Sequence, residues 1–443
     1  MDRRTAHIVE VTTATESFHY RTPIKFGGVV LDRVTLLNVH LTLEANGRRV
    51  TGFGSMPMGN VWAWPTRSLT YETTLNAMLE IAAETARLLP ACGLRGHPVE
   101  IVHALEAEFF RRADGVQARL GLTEAIPKLA TLVAVSPFDA ALHDAYGKAF
   151  DRSAYQTLGR EFLPQDLSHF LGEPYRGRYL NEAVTSAPVA ELPVYHLVGA
   201  LDPIAPADLV TPVGDGLPET LVDWIAADGL THLKIKLNGD DLGWDLARTQ
   251  AVHAVGGSAV THYSLDFNER CPNVDYLLDY LHKLREETPR AYDRVQYIEQ
   301  PTARDLNAGR GNAMHVAAKL KPIVIDESLL DPATLHLACE LGYTGVAFKA
   351  CKGQTGTLLL AVVARQLGLF SCVQDLTCVG ASLIHSAGLA AHIPGIAAIE
   401  SNGRQYCPAA NAAWADRFPG LFAIRNGNMP TGTITGPGLA AAS

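Results

Sequence analysis

The stretch "YSLDFNE", Tyr263 to Glu269, is a short β-rich run that stops on an acid, Asp266. The pattern returns in "QYIEQP" at Glu299 and in "IVIDES" at Asp326, with Glu327 beside it. The spacings, 33 and then 27 residues, each accommodate one strand followed by one helix. Consecutive units of that kind, joined by helical connections, predict parallel strands whose C-terminal ends open on a common face.

Working outward, the same alternation runs from about residue 192 to the end of the apolar run near residue 400. The strand candidates are 192–198, 232–237, 262–267, 295–298, 322–325, 345–348, 369–373 and 396–399. Eight is the number that closes a (β/α) barrel. Between the first two, "PETLVDWIAADG" reads as a helix: Pro218 lies near its start, Leu221, Trp224 and Ile225 share a face, and Gly229 supplies the left-handed end. Residues 1–160 read differently, as an α+β unit. "RVTLLNVHLTLEANGRRVTGFG" is a hairpin about the turn Asn46-Gly47, and the segments after Leu69 are helical. Residues 161–191 form an insertion or linker without clear period, residues 192–405 the barrel, and residues 406–443 a C-terminal segment.

In a barrel, carboxylates ending strands three, four and five converge at one mouth. Any one of them also suits a helix N-cap, but three in succession require a cation to offset their repulsion. Oxygen ligands without His or Cys favour magnesium. Asp266, Glu299 and Asp326 are therefore the candidate metal ligands.

The second strand, "THLKIKL", carries Lys234 and Lys236 on one face, because side chains alternate along a strand. The sixth, in "GVAFKACKGQTG", ends at Lys349, and strands two and six stand opposite each other in a ring of eight. Lysines flanking a metal suit removal of a proton alpha to a carboxylate, since the enediolate that forms carries charge a divalent cation stabilises. Lys234 is expected to lower the proton affinity of Lys236 and to neutralise the substrate carboxylate.

These pieces, with "SPFDAALHDAYGKAFDRSAYQTLG" (136–159) and the tail "GPGL" (436–439), resemble the enolase superfamily in its mandelate racemase and muconate lactonizing branches. The resemblance implies a modified TIM barrel with an N-terminal α+β capping domain completed by the C-terminal tail. It implies Lys236 and Lys349 as acid/base groups, with Lys234 beside them, and Mg2+ on Asp266, Glu299 and Asp326. Asn268 and Glu327 match supporting neighbours, and Glu400 matches a substrate-contacting carboxylate. The seventh strand, in "SCVQDLTCVGAS", lacks the histidine of the racemase branch, so the lysine-lysine branch fits better; Asp375 after it is a candidate substrate contact. "ESN" at 400–402 lacks the Asp-x-Asp of dipeptide epimerases. Two cap loops, "FHYRTPIKFGG" (18–28) and "GFGSMPMGNVWAWP" (52–65), match the segments that select substrate, with Phe18 and Trp62 as contacts.

Composition limits the alternatives. Asp and Glu number 46 against 37 Lys and Arg, a net charge of -9 that offers nucleic acid no general attraction. The start lacks the apolar core of a secretory signal, and the seven cysteines form no zinc-like pair, which suggests a cytoplasmic protein with reduced thiols. The uncharged run 376–399 is mostly small residues with His385, His392 and Pro394, so it reads as a buried helix, a turn and a strand rather than a membrane span. The expectation is a homo-oligomeric enzyme acting on a small carboxylate without nucleic-acid or membrane partners. A Schiff-base aldolase using Lys349 leaves the acidic trio unexplained. A non-catalytic protein that kept the fold should have lost one of these groups.

Overall fold

The computed structural model describes residues 4–26, 29–308 and 310–440. Its centre is a ring of eight parallel strands: Glu191–Val198, His232–Lys236, His262–Asp266, Val295–Glu299, Ile323–Ile325, Gly345–Phe348, Phe370–Val373 and Ile396–Glu400. The eighth pairs with the first through Ile399 with Val194 and Glu400 with Tyr195, which closes the barrel. All eight fall on the segments read from the sequence, with ends moved by a residue or so. The helix after the first strand spans Leu221–Asp228 and is capped by the Thr220 hydroxyl; Gly229 closes it at φ 63°. The run 376–399 becomes helix Ala381–His392 and the eighth strand. Among the described residues no helix is long and apolar enough to cross a membrane.

The interior of the ring is filled by Tyr195, Tyr297, Val324, Ala347, Cys372 and Ala398, all fully buried. Tyr195 and Tyr297 meet edge to face at 5.7 Å, a favoured aromatic geometry that adds roughly 0.5–1.5 kcal/mol beyond area burial. This plug makes the lower barrel a packed core and leaves the upper mouth for chemistry.

Over the mouth lies a four-stranded antiparallel sheet that includes Ala6–Phe26, Val29–Ala45 and Arg48–Pro57, backed by helices Tyr71–Ala91, Pro98–Leu120 and Lys128–Ala149. Gly52 and Gly54 let the sheet touch the last of these helices. A Cβ on Gly54 would stand 1.9 Å from the Pro137 carbonyl oxygen, so a side chain there would push the two apart.

The motif 136–159 explains how cap, barrel and tail are joined. Asp139 accepts the backbone N–H of Thr355 at 2.8 Å and its hydroxyl at 2.8 Å. It thereby holds the first turn of helix Gln354–Gln366, which follows the short turn Ala350–Lys352 after Lys349. Asp144 accepts the N–H of Phe53 at 2.9 Å and of Leu439 at 2.8 Å, pinning the cap sheet and the "GPGL" tail to one helix. On its way there the C-terminal segment also adds Asn428–Pro430 antiparallel to the start of the first barrel strand. Residues 161–191 run as short helical turns over the surface, including Ser168–Leu171 and Leu180–Glu182.

Candidate active site

Strand register aligns the first half of the site. Lys236 stands beside Asp266, and Asp266 beside Glu299, on three adjacent strands. Lys234 lies two residues earlier on the same strand and hence on the same face, 1 % exposed. Its ammonium is 2.8 Å from Glu299 Oε1, 3.1 Å from Asp266 Oδ2 and 3.2 Å from Glu400 Oε2, and donates to Gln374 Oε1 at 2.8 Å. Lys236 Nζ contacts Asp266 Oδ2 at 2.5 Å. Across the mouth Lys349 Nζ is 2.8 Å from Asp326 Oδ2, and Lys352 Nζ is 3.1 Å from Asp326 Oδ1.

These contacts fix Lys234 as a charged group. Burial opposes its charge, yet Glu299, Glu400 and Asp266 outweigh burial and hold its proton affinity well above the ordinary value. It is a fixed counter-ion at the centre of the carboxylates. Lys349 follows the same logic: burial opposes its charge, and Asp326 holds it above its usual range. Among the acids, burial works against Asp266 but Lys236 and Lys234 bring it down to about 2. Burial raises Glu299 well above the carboxylate range, and burial with the Asp326 charge raises Glu327 to about 7.

Among the described residues no three His, Cys, Asp or Glu side chains are arranged to hold a metal as they stand; the ammonium groups sit between the acids instead. The donor set nevertheless fits a divalent cation. Six buried carboxylates, from Asp266, Glu299, Asp326, Glu327, Asp375 and Glu400, face four lysines, which leaves an excess of two negative charges if all are ionised. Glu299 Oε2 and Glu327 Oε2 are buried without any hydrogen-bond partner. Hard oxygen donors with uncompensated charge are what magnesium binds.

The remaining candidates divide by what they touch. Asn268 sits at φ 45° and donates its N–H to Asp266 Oδ1 at 2.8 Å, steadying that carboxylate. Glu327 Oε1 accepts from Trp62 Nε1 at 3.0 Å, and the Trp62 ring centre lies 4.0 Å from Lys349 Nζ. Trp62 therefore forms a ceiling over the sixth-strand lysine. Glu400 is held by Lys234, by the Asp375 N–H at 3.0 Å and by Asn402 Nδ2 at 3.2 Å. Asp375 lines the cavity but spends its oxygens on the N–H groups of Leu376, Cys378 and Asn402, so it braces two loops. Burial and the Glu400 charge raise it to about 6. The expected loop is, up to residue 26, the end of strand Ala6–Phe26; Phe18 packs with Val34, Leu36 and Val379 and does not line the cavity, whereas Tyr20 and Ile24 of the same strand do. Residues 27 and 28 of that loop lie outside the described residues.

Several participants carry no signal in the sequence. Gln374 Nε2 contacts the Tyr297 hydroxyl, which orients its oxygen toward Lys234. Gln300, at φ 30°, accepts from Asp326 N at 3.0 Å and joins the fourth and fifth strand loops. Arg304 donates to Glu269 Oε1 at 2.8 Å and to the Trp62 carbonyl at 3.1 Å, latching the cap loop to the barrel. Only Lys352, three residues after Lys349 in a strand-end lysine motif, could have been marked in advance.

Lys234, Lys236, Lys349, Asn268, Asp375, Glu400 and Trp62 line one cavity between cap and barrel. Residues 217–442 match the family model described as enolase C-terminal domain-like. Among solved structures, a muconate lactonizing enzyme from Pseudomonas fluorescens complexed with muconolactone aligns over 98% of this chain and 96% of its own, at 17% identity and TM-score 0.65. The L-Ala-D/L-Glu epimerase from Bacillus subtilis covers 98% of both chains at 18% identity and TM-score 0.64. An enolase from Bradyrhizobium complexed with magnesium and mandelic acid covers 99% of this chain and 96% of its own, at 18% identity and TM-score 0.62. No curated protein matches the chain.

Proposed function

The chain belongs to the enolase C-terminal domain-like family, and from that membership we propose that it is a magnesium-dependent enzyme removing the proton alpha to a small substrate's carboxylate. The outcome is racemisation or epimerisation, or elimination of a β-substituent. The observation that carries this reading is that Lys236 and Lys349 line one cavity from opposite strands of the ring, beside the buried carboxylates of Asp266, Glu299 and Asp326. Asp266, Glu299 and Asp326 would hold the metal. When bound, magnesium supplies charge that stabilises the enediolate and relieves the carboxylate charge that otherwise keeps Lys349 protonated.

The protein groups perform the remaining work. A substrate alpha carbon between the two lysines gives its proton to one ammonium-forming nitrogen, and in racemisation receives another from the opposite side. Asn268 keeps Asp266 oriented. Trp62 and Arg304 hold the cap loop down, which excludes water from a strongly basic intermediate. The seven cysteines are all free, in keeping with a reducing, cytoplasmic setting.

The test is proton NMR in heavy water with magnesium, over a panel of acid sugars, amino-acid derivatives and N-acylated acids. Loss of an alpha-proton signal in at least one, abolished by Glu299→Gln, is the expected result. Full turnover after exhaustive chelation would refute the metal requirement.

A further inference from the structure

Given that reading of the site, we infer that the substrate class is a carboxylic acid carrying an apolar group of about aryl size, rather than a polyhydroxylated acid. The cavity is divided by chemistry. Its floor holds Lys234, Lys236, Lys349 and Asn268, where a carboxylate and its alpha carbon belong. The wall above comes from the cap and the seventh-strand loop, and Ile24, Leu31, Val34, Met58 and Leu376 make it apolar. Three aromatic rings, Tyr20, Trp62 and Tyr71, stand among them.

Most polar groups of this wall are already engaged within the protein; Asn402 Oδ1 is buried without a partner. Thr35 Oγ1 shares a hydrogen bond with Ser17 Oγ at 3.2 Å. Asn60 Nδ2 donates to the Tyr71 carbonyl at 3.0 Å and to Thr74 at 2.9 Å. Arg33 pairs with Glu72 and stacks over Tyr71 at 4.8 Å. Trp62 Nε1 is taken by Glu327. A sugar acid would bury several hydroxyls against these side chains with few partners left for them. Each unmade hydrogen bond lowers affinity by roughly 5- to 150-fold. An apolar group gains from the same surface. The wall is also set at fixed distance: Gly59, at φ 44°, packs directly on Leu376, and a Cβ there would come within 2.6 Å of Cδ2.

The experiment compares two sets of probes on the wild-type protein with magnesium, following alpha-proton exchange in heavy water. One set is racemic N-acetylphenylalanine and phenyllactate; the other is gluconate and galactonate. The expected result is exchange of the aryl acids at least a hundredfold faster than of the sugar acids. Val34→Thr, which adds a hydroxyl at nearly constant volume, and Met58→Gln should each lower kcat/KM for the favoured aryl acid about tenfold, with unchanged far-UV circular dichroism. Exchange or dehydration of the sugar acids at equal or greater rate overturns the inference while leaving the proposed chemistry intact. Exchange of neither set overturns it as well, and the chemistry then rests on the wider panel above.

Discussion

The ammonium of Lys349 lies 4.0 Å from the centre of the Trp62 ring, whose Nε1 donates to Glu327 Oε1 at 3.0 Å. One cap side chain thus touches both Lys349 and a carboxylate of the buried cluster. The cap and the strand-end groups are therefore joined at one residue. Trp62→Phe loses the bond to Glu327 but keeps a ring, and turnover should fall about tenfold; Trp62→Ala loses both and should fall about a hundredfold. Steady-state kcat, with circular dichroism to verify folding, decides this. Wild-type kcat in Trp62→Ala contradicts it.

Asp144 joins three parts of the chain through Phe53 N, Leu439 N and Lys148 Nζ, the last at 2.6 Å. Asp144→Ala leaves two buried N–H groups unpaired and should destabilise the protein by about 3 kcal/mol. Urea unfolding measures the loss. An unchanged midpoint would show that the tail is not held this way.

His385 is 1 % exposed and neither ring nitrogen has a hydrogen-bond partner, and burial, helped by Lys148, pushes its pKa down to about 3. The folded state keeps it neutral while the unfolded chain protonates it near 6.5, so stability is fully present above pH 6.5 and is lost as pH falls toward 3. His385→Phe removes this titration. The stability of the variant relative to wild type should improve by about 2 kcal/mol between pH 6.5 and pH 5. Urea midpoints of both proteins at the two pH values give the comparison, and an equal difference at both would sink the assignment.

Magnesium should stabilise the folded protein by mass action, about 2.7 kcal/mol at a hundredfold excess over its dissociation constant. A thermal midpoint that rises with magnesium in wild type and stays fixed in Glu299→Gln is the expected outcome. An equal rise in both would remove Glu299 from the ligand set.

The strands and the principal charged groups were legible because each obeys a local period. Lys234 and Lys236 share a face by the twofold alternation of a strand, and Asp266, Glu299 and Asp326 recur at the length of one strand-helix unit. What could not be read depends on contacts between distant segments. Gln374 matters only because Tyr297, 77 residues away, turns its amide toward Lys234. Arg304 matters because it reaches the Trp62 carbonyl. That Glu400, 166 residues further along the chain, supplies a third carboxylate to the Lys234 ammonium could not be read from the strand itself. Phe18 and Tyr20 both pack on the cluster of Val34, Leu36 and Val379, and of the two only Tyr20 also lines the cavity.

The central claim is that Lys236 and Lys349 address opposite faces of one alpha carbon. It is tested most directly by alpha-proton exchange in heavy water, using both enantiomers of an acid that the wild-type protein exchanges. Lys349→Ala should retain exchange of one enantiomer and Lys236→Ala of the other, each with net turnover reduced at least about a hundredfold. In an elimination, one variant should instead lose all exchange. Wild-type turnover in both single variants would contradict the account.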